Sequence, residues 1–224
     1  MRLLLFDIDG TLLHVRRELT RIALRGVMKE MFAFEGEIDD YEMHGKTDQQ
    51  IFRELSAIAG VPGDGCHLYE MERLFIEHAT GLGPDDVIVL EGVEALLAEL
   101  SQTANLRLGI VTGNLERSAR LKLDAAGLGG MFPVGAYGSD AHDRDDLPPI
   151  AVLRACSHYD CQFAPDDTII IGDSHRDIAC ARANGLRAIA VATGALSSEQ
   201  LAVYGPDLLL ESLTNIDEFI NFVS

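Results

Sequence analysis

Short apolar runs alternating with helical patterns constrain this chain more than any other feature of its sequence. Residues 3–7, Leu106–Val111, residues 168–171 and Arg187–Val191 are rich in leucine or β-branched residues along most of their length. Such runs are too short for helices and lack the in–out alternation of a half-solvated strand, so they read as strands buried on both faces of a parallel sheet. NLERSARLKLDAAGLGG follows the second run and SHRDIACARANG the third; both read as helices, stopped at Gly127 and Gly185. Each provides a crossover of the kind parallel strands require. A weaker strand over residues 133–137, a helix over residues 149–159 and a final LTNIDEFINFV helix complete this α/β core.

The pattern changes between the first two strands, where residues 16–84 show helical periodicity with hardly any strand signal. Leu19, Ile22, Ala23, Val27, Met31 and Phe34 recur at helical spacing, and TDQQIFRELSAIAG opens with a Thr47/Gln50 capping-box pattern and stops at Gly60. A third helix is expected over residues 67–79, with turns at VPGDG and GLGPDD. The apolar stripes read as the insert's own core. The expected organisation is a Rossmann-like core of residues 1–15 and 85–224 and an all-helical cap of residues 16–84, which suits a length of 224 residues.

Composition narrows the function classes. A hydrophobic share of 47% with 7 prolines supports a packed globule rather than disorder. Acidic residues outnumber basic ones 36 to 18, and the formal charge of -18 repels nucleic acid and anionic membranes while leaving small metal-complexed ligands compatible. The apolar run at the N-terminus stops at Asp7, too soon for a signal peptide or a membrane span. Cys66, Cys156, Cys161 and Cys180 form no dense paired framework, so reduced thiols and a cytoplasmic location are expected, without disulfides. Cys156 and Cys161 flank His158 in CSHYDC, a spacing unsuited to structural zinc. His14, His44 and His67 show no ligand pattern either.

Chemistry-bearing residues gather where the strands end, the place at which open α/β sheets bind ligands. In FDIDGTLL, Asp7 and Asp9 can project to the same side, Gly10 permits a tight turn, and Thr11 can brace it. Two carboxylates so close repel, and a divalent cation or a shared proton would relieve them. An acidic surface turn or a calcium loop could carry the same letters. However, the apolar run leading into Asp7 favours a strand end, and the loop lacks a calcium site's further oxygen ligands. LGIVTGN places Thr112, Gly113 and Asn114 at a helix start, suited to phosphate oxygens or to ordinary N-capping. TIIIGDSHRD places Asp173 after an apolar strand and Asp177 four residues on, suited to a metal or to N-capping.

Together these three strand ends resemble the signatures of the haloacid dehalogenase-like superfamily: DxDGT, an apolar run ending in Thr or Ser, and GDxxxD, in order across the whole chain. The resemblance implies a Rossmann-like fold with a helical cap, Asp7 as nucleophile, Asp9 as general acid and base, and magnesium held by Asp7, the backbone carbonyl of Asp9 and Asp173, with Asp177 orienting its waters. Thr112, Gly113 and Asn114 would bind the transferring phosphate. The family's third motif supplies a lysine between the second and fourth motifs; no lysine is expected in that stretch, a departure from the pattern. Between the helix after Gly113 and Asp173 the basic side chains are Arg144 and Arg154, and Arg144 is taken as the substitute.

Lys46, in HGKTD, resembles the GxTD cap segment of phosphoglycolate phosphatase-like members and is expected to face the substrate, a surface lysine being the alternative. The resulting expectation is a Mg2+-dependent phosphatase acting on a small phosphorylated metabolite through an aspartyl phosphate. Asp9 argues against a dehalogenase, and a phosphonatase's Schiff-base lysine could only be asserted at Lys29 or Lys46. A sugar phosphomutase shares the motifs, and a catalytically silent binding protein is the alternative outside enzymes.

Overall fold

The structure, a computed structural model, describes residues 1–38, 41–61, 68–78 and 83–224. Its centre is a parallel sheet of β1 (Arg2–Phe6), β4 (Leu106–Val111), β5 (Gly135–Ala136), β6 (Thr168–Gly172), β7 (Arg187–Val191) and β8 (Leu208–Leu210). The order is β5-β4-β1-β6-β7-β8, with β1 paired to β4 on one side and to β6 on the other. The chain therefore crosses from one side of β1 to the other, and the strand ends diverge around its C-terminal tip to leave a crevice.

Alternation along β1 explains why both faces are apolar. Leu4 and Phe6 pack with Leu96, Leu97, Phe132 and Phe219 on one face; Leu3 and Leu5 pack with Ala151, Ala155, Ile178 and Leu201 on the other. Phe6 anchors the first layer, its ring 5.8 Å from Phe132 and 6.3 Å from Phe219. The layers are closed by α4 (Val93–Gln102), α5 (Glu116–Ala125), α6 (Leu147–Tyr159), α7 (His175–Ala183), the short α8 (Ser198–Ala202) and α9 (Ile216–Val223). The weak strand expected over residues 133–137 contracts to β5, paired with Ile110 and Val111 of β4, with the Val134 carbonyl accepting the Ile110 N–H at 3.0 Å.

The helical stretch leaves and returns through an antiparallel ribbon that the sequence reading passed over: β2 (Leu13–Val15) and β3 (Val87–Val89), with His14 opposite Ile88. Between them run α1 (Arg17–Phe32), α2 (Asp48–Ile58) and α3 (Leu68–His78). Residues 67 and 79, the expected ends of the third helix, lie outside the described residues, as do residues 62–65 of VPGDG, residues 81–82 of GLGPDD, and Cys66. Leu24, Val27, Met28, Ile51, Phe52, Leu55, Met71 and Leu74 form a cluster of their own.

Two expectations need correcting. Ile22 is 52% exposed, so the buried stripe of α1 runs through Ala23, Leu24, Val27 and Met28. The Thr47/Gln50 capping box is half formed: the Gln50 N–H donates to Thr47 Oγ1 at 3.1 Å, but the Gln50 side chain turns to Glu54 Oε1 at 2.8 Å. Among the described residues no helix is long and apolar enough to cross a membrane.

Candidate active site

Asp7 follows the last residue of β1, and its N–H donates to the Ile171 carbonyl at 2.8 Å, so the sheet ladder fixes its backbone. Asp173 follows β6 directly. Gly10, at φ +86, turns the chain beside it; a Cβ there would fall 2.4 Å from Asp173 Oδ2, so both the left-handed turn and the close approach need glycine. Thr11 braces the turn as expected, its hydroxyl donating to Asp173 Oδ1 at 3.3 Å. Asp177 occupies the third position of α7, where Oδ2 accepts from the Ser174 N–H at 3.0 Å and the Ser174 hydroxyl at 2.6 Å. Its other oxygen accepts from Arg144 Nη2. Asp177 is therefore both a helix cap and a site carboxylate, and the two alternatives of the sequence reading are compatible.

Arg144 Nη2 also lies 3.2 Å from Asp7 Oδ1, with its side chain 7% exposed. Arg154 instead pairs with Asp140, away from these carboxylates. The ligating oxygens of Asp7, Asp173 and Asp177 gather within 4.8 Å of one another, all buried. Burial pushes the Asp7 carboxyl up to about 6, with Arg144 pulling against it and Asp177 and Asp9 adding to it. Burial, then Asp177 and Asp7, push Asp173 up to about 8. One guanidinium does not balance three buried carboxylates, and an all-oxygen cluster suits a hard divalent cation, so these residues fit a magnesium ion. The carboxylate of Asp9 stands outside this cluster, so any part it has in holding a metal falls to its backbone carbonyl.

The Asp9 carboxylate belongs to a second network. Lys122 Nζ lies 2.6 Å from Asp9 Oδ2 and donates to Asn114 Oδ1 at 2.6 Å, while Asn114 Nδ2 donates to Asp9 Oδ2 at 2.6 Å and to Thr112 Oγ1 at 2.8 Å. Burial opposes ionisation of Asp9, yet the Lys122 ammonium and the hydrogen bonds from Lys122 and Asn114 outweigh it and hold the carboxyl below its usual value. The expectation of no lysine between the second and fourth motifs is thus corrected: Lys122 lies there and reaches Asp9. Lys122 comes from α5, two turns beyond Asn114, and its side chain is 10% exposed. The one available signal was a lysine flanked by leucines in ARLKLDAAG, on the apolar side of the helix.

Thr112, Gly113 and Asn114 form a loop before α5, whose N-cap is Leu115, so Thr112 is not a helix cap. Asp7, Asp9, Thr112, Gly113, Asn114, Lys122, Arg144 and Asp173 line one cavity of 590 Å³. Asp177 stands behind Arg144 and does not line it. The opposite wall comes from the helical insert and includes Arg21, Tyr41, Lys46, Ile51 and Phe75. Lys46 is not a surface lysine: its side chain is 13% exposed, with Nζ 2.6 Å from Glu54 Oε2 and 3.2 Å from Tyr41 Oη. Burial opposes ionisation of Glu54, but hydrogen bonds from Lys46, Tyr41 and Gln50 lower its carboxyl to about 2.

The family model for haloacid dehalogenase-like hydrolases matches residues 4–191. The phosphoglycolate phosphatase of Synechococcus elongatus is 29% identical over 221 residues, covering 96% of this chain and 95% of that protein. The pyrophosphatase PpaX of Oceanobacillus iheyensis is 24% identical over 219 residues, with 96% and 95% covered. A putative haloacid dehalogenase-like hydrolase from Bacteroides fragilis shares the fold, with a TM-score of 0.72 at 23% identity over 96% of this chain and 99% of that one. A sheet that converges on Asp7 and Asp173, and a family match spanning both, lead to one conclusion: the chain belongs to the haloacid dehalogenase-like hydrolases.

Proposed function

We propose that the protein hydrolyses small phosphate monoesters, phosphoglycolate-like esters among them, in a magnesium-dependent reaction through an aspartyl phosphate on Asp7. The observation that carries this reading is Asp7 itself, a buried carboxylate at the tip of the central strand, held by Arg144 and facing a cavity lined by Thr112 and Asn114. The names of the relatives support a phosphorylated substrate of modest size.

Phosphoryl transfer demands an in-line nucleophile, compensation for charge on the equatorial oxygens, and a proton for the leaving group. Asp7, Asp173 and the Asp9 carbonyl would hold Mg2+, with Asp177 orienting its waters, and the bound ion supplies charge compensation where one anion approaches another. Asp7 attacks phosphorus, and the leaving alkoxide departs from the opposite side. Arg144 keeps the Asp7 carboxylate aimed and offers a donor to a phosphate oxygen. Thr112 and Asn114 steady the transferring group from the other side of the cavity.

Asp9 serves as acid and then as base. Paired with Lys122 it is an ionised base, suited to activating water against the aspartyl phosphate. A phosphate dianion that draws the Lys122 ammonium toward itself loosens this pairing, and Asp9 then takes up the proton that the leaving oxygen needs. The helical insert is read as a cap of residues 16–84, presenting Lys46 to the substrate's far end and excluding water during the first transfer.

The test is phosphate release from a panel of small esters, with magnesium and with chelator, for wild type and Asp7→Asn. Magnesium-dependent release that Asp7→Asn abolishes is the expected result. Equal inactivity of both proteins across the panel would refute the hydrolase reading, and transfer of phosphate to a second hydroxyl without release would redirect it to a phosphomutase.

A further inference from the structure

Helix α5, which follows the loop of residues 112–114, does not cap its own N-terminus. Its N-cap is Leu115, whose side chain offers no acceptor for the first-turn N–H groups. Leu115 is instead 2% exposed inside the apolar cluster of the helical insert, with Leu24, Val27, Leu55 and Leu74. Ser139 Oγ, of the core, accepts the Glu116 N–H at 3.3 Å, and the acceptors on either side of it come from the insert. Asp48 Oδ2 accepts the Leu115 N–H at 2.8 Å, and Glu72 Oε1, a buried carboxylate, accepts the Arg117 N–H at 3.1 Å.

Asp48 also donates its own N–H to the Gly113 carbonyl at 2.7 Å, so one residue of the insert grips the chain on both sides of Asn114. The approach is as close as backbones allow, since a Cβ on Gly113 would fall 2.3 Å from the Lys46 carbonyl oxygen. Asn114 in turn holds Asp9, Thr112 and Lys122.

We infer that Asp48 and Glu72 are positioning residues: docking of the helical insert supplies acceptors for the Leu115 and Arg117 N–H groups at the N-terminus of α5 and thereby fixes the loop of residues 112–114 in its phosphate-binding form. Without the insert in place, α5 has a leucine where a capping side chain is needed, that leucine faces water, and the loop loses both anchors. Closure and loop order are then one equilibrium, and the loop binds phosphate well only under a closed insert. The ordinary loss of a helix N-cap corresponds to about 2- to 30-fold in such an equilibrium. The inference rests on reading residues 112–114 as the phosphate-binding loop beneath a closing cap.

The experiment measures amide hydrogen exchange over residues 112–118, together with inhibition of turnover by inorganic phosphate, in magnesium. The proteins are wild type, Asp48→Ala, Asp48→Asn and Glu72→Ala. Asp48→Ala is expected to speed exchange at residues 113–118 and to weaken inhibition by phosphate by about 2- to 30-fold. Asp48→Asn, whose amide oxygen still accepts from Leu115, stays near wild type. Glu72→Ala reads the same effect at Arg117 independently, should Asp48→Ala fail to fold.

Unchanged exchange in an active Asp48→Ala protein overturns the inference, as does an Asp48→Asn protein that exchanges as fast as Asp48→Ala. Because exchange needs no turnover, the two readings fail separately. An inactive wild type with the expected exchange pattern counts against the phosphatase reading alone.

Discussion

Replacing Arg144 by methionine removes the cation that contacts both Asp7 and Asp177 while keeping most of the side-chain volume. The cost follows from the geometry. Two unit charges 4.8 Å apart, the span of the carboxylate cluster, interact by about 3.5 kcal/mol at an effective dielectric constant near 20. Protonation offers the cluster an escape, but holding a proton at pH 7 on a carboxyl whose unfolded value is 3.8 costs about 4 kcal/mol. Either route gives a figure within the roughly 3–5 kcal/mol typical of a buried pair stripped of one partner. For a chain of this length that corresponds to a melting temperature lower by about 6–20 °C. The assay is thermal unfolding followed by circular dichroism at pH 7, first in chelator and then with magnesium. The expected result is a large loss in chelator, with a magnesium-induced recovery exceeding the shift that magnesium produces in wild type. A variant that melts within about 2 °C of wild type in chelator and gains no more from magnesium would refute the view that Arg144 balances this cluster.

Three further outcomes are expected. Lys122→Met frees the Asp9 carboxylate and the Asn114 side chain together, and lowers kcat on the order of 10²-fold with a smaller change in KM; steady-state kinetics beside Lys122→Arg, which should recover part of the loss, check this. Gly113→Ala sets a methyl group against the Lys46 carbonyl, which as backbone gives way poorly, so kcat/KM falls and unfolding is easier by roughly 1–3 kcal/mol; equal stability and activity would count against the close docking of the insert. Glu54, with its folded-state carboxyl at about 2 against 4.5, contributes stability that is present above pH 4.5 and lost as pH falls through about 2. Glu54→Gln should therefore flatten the decline in melting temperature across that window while leaving the curve above pH 5 parallel to wild type.

The carboxylates at the sheet's edge were legible because the signal that marks them is local. A buried apolar strand that stops at an aspartate places the carboxylate at the sheet's C-terminal edge, and this holds for Asp7 after β1 and Asp173 after β6. The helices of the insert were legible for the same reason, their apolar spacing being a property of one segment. The ribbon of β2 and β3 was not, since three-residue strands carry too little alternation to register, and β3 is apolar throughout although its Ile88 is 60% exposed. Nor was Ile22, whose spacing suits the buried stripe of α1 although its direction does not.

Arg144 and Lys122 show where sequence reading stops. Arg144 was found by elimination, few basic residues lying between α5 and Asp173, and its contacts with Asp7 and Asp177 agree with that choice. Lys122 and Asp48 resemble ordinary helix residues, because a charged side chain acquires a function only from what the fold sets opposite it. Lys122 and Asp9 are paired across 113 positions of sequence, and Asp48 and Leu115 across 67. No periodicity encodes such distances; they arise when β4 is laid beside β1 and the insert folds back over the loop between β4 and α5. Leu115 is the sharpest case, since a leucine at an N-cap looks like a local fault until the apolar cluster that receives it and the two carboxylates that replace it are in view. A capping position filled by an apolar residue is then a sequence-level sign that another part of the chain completes the helix, and here the completing part is the wall of the cavity that faces Asp7.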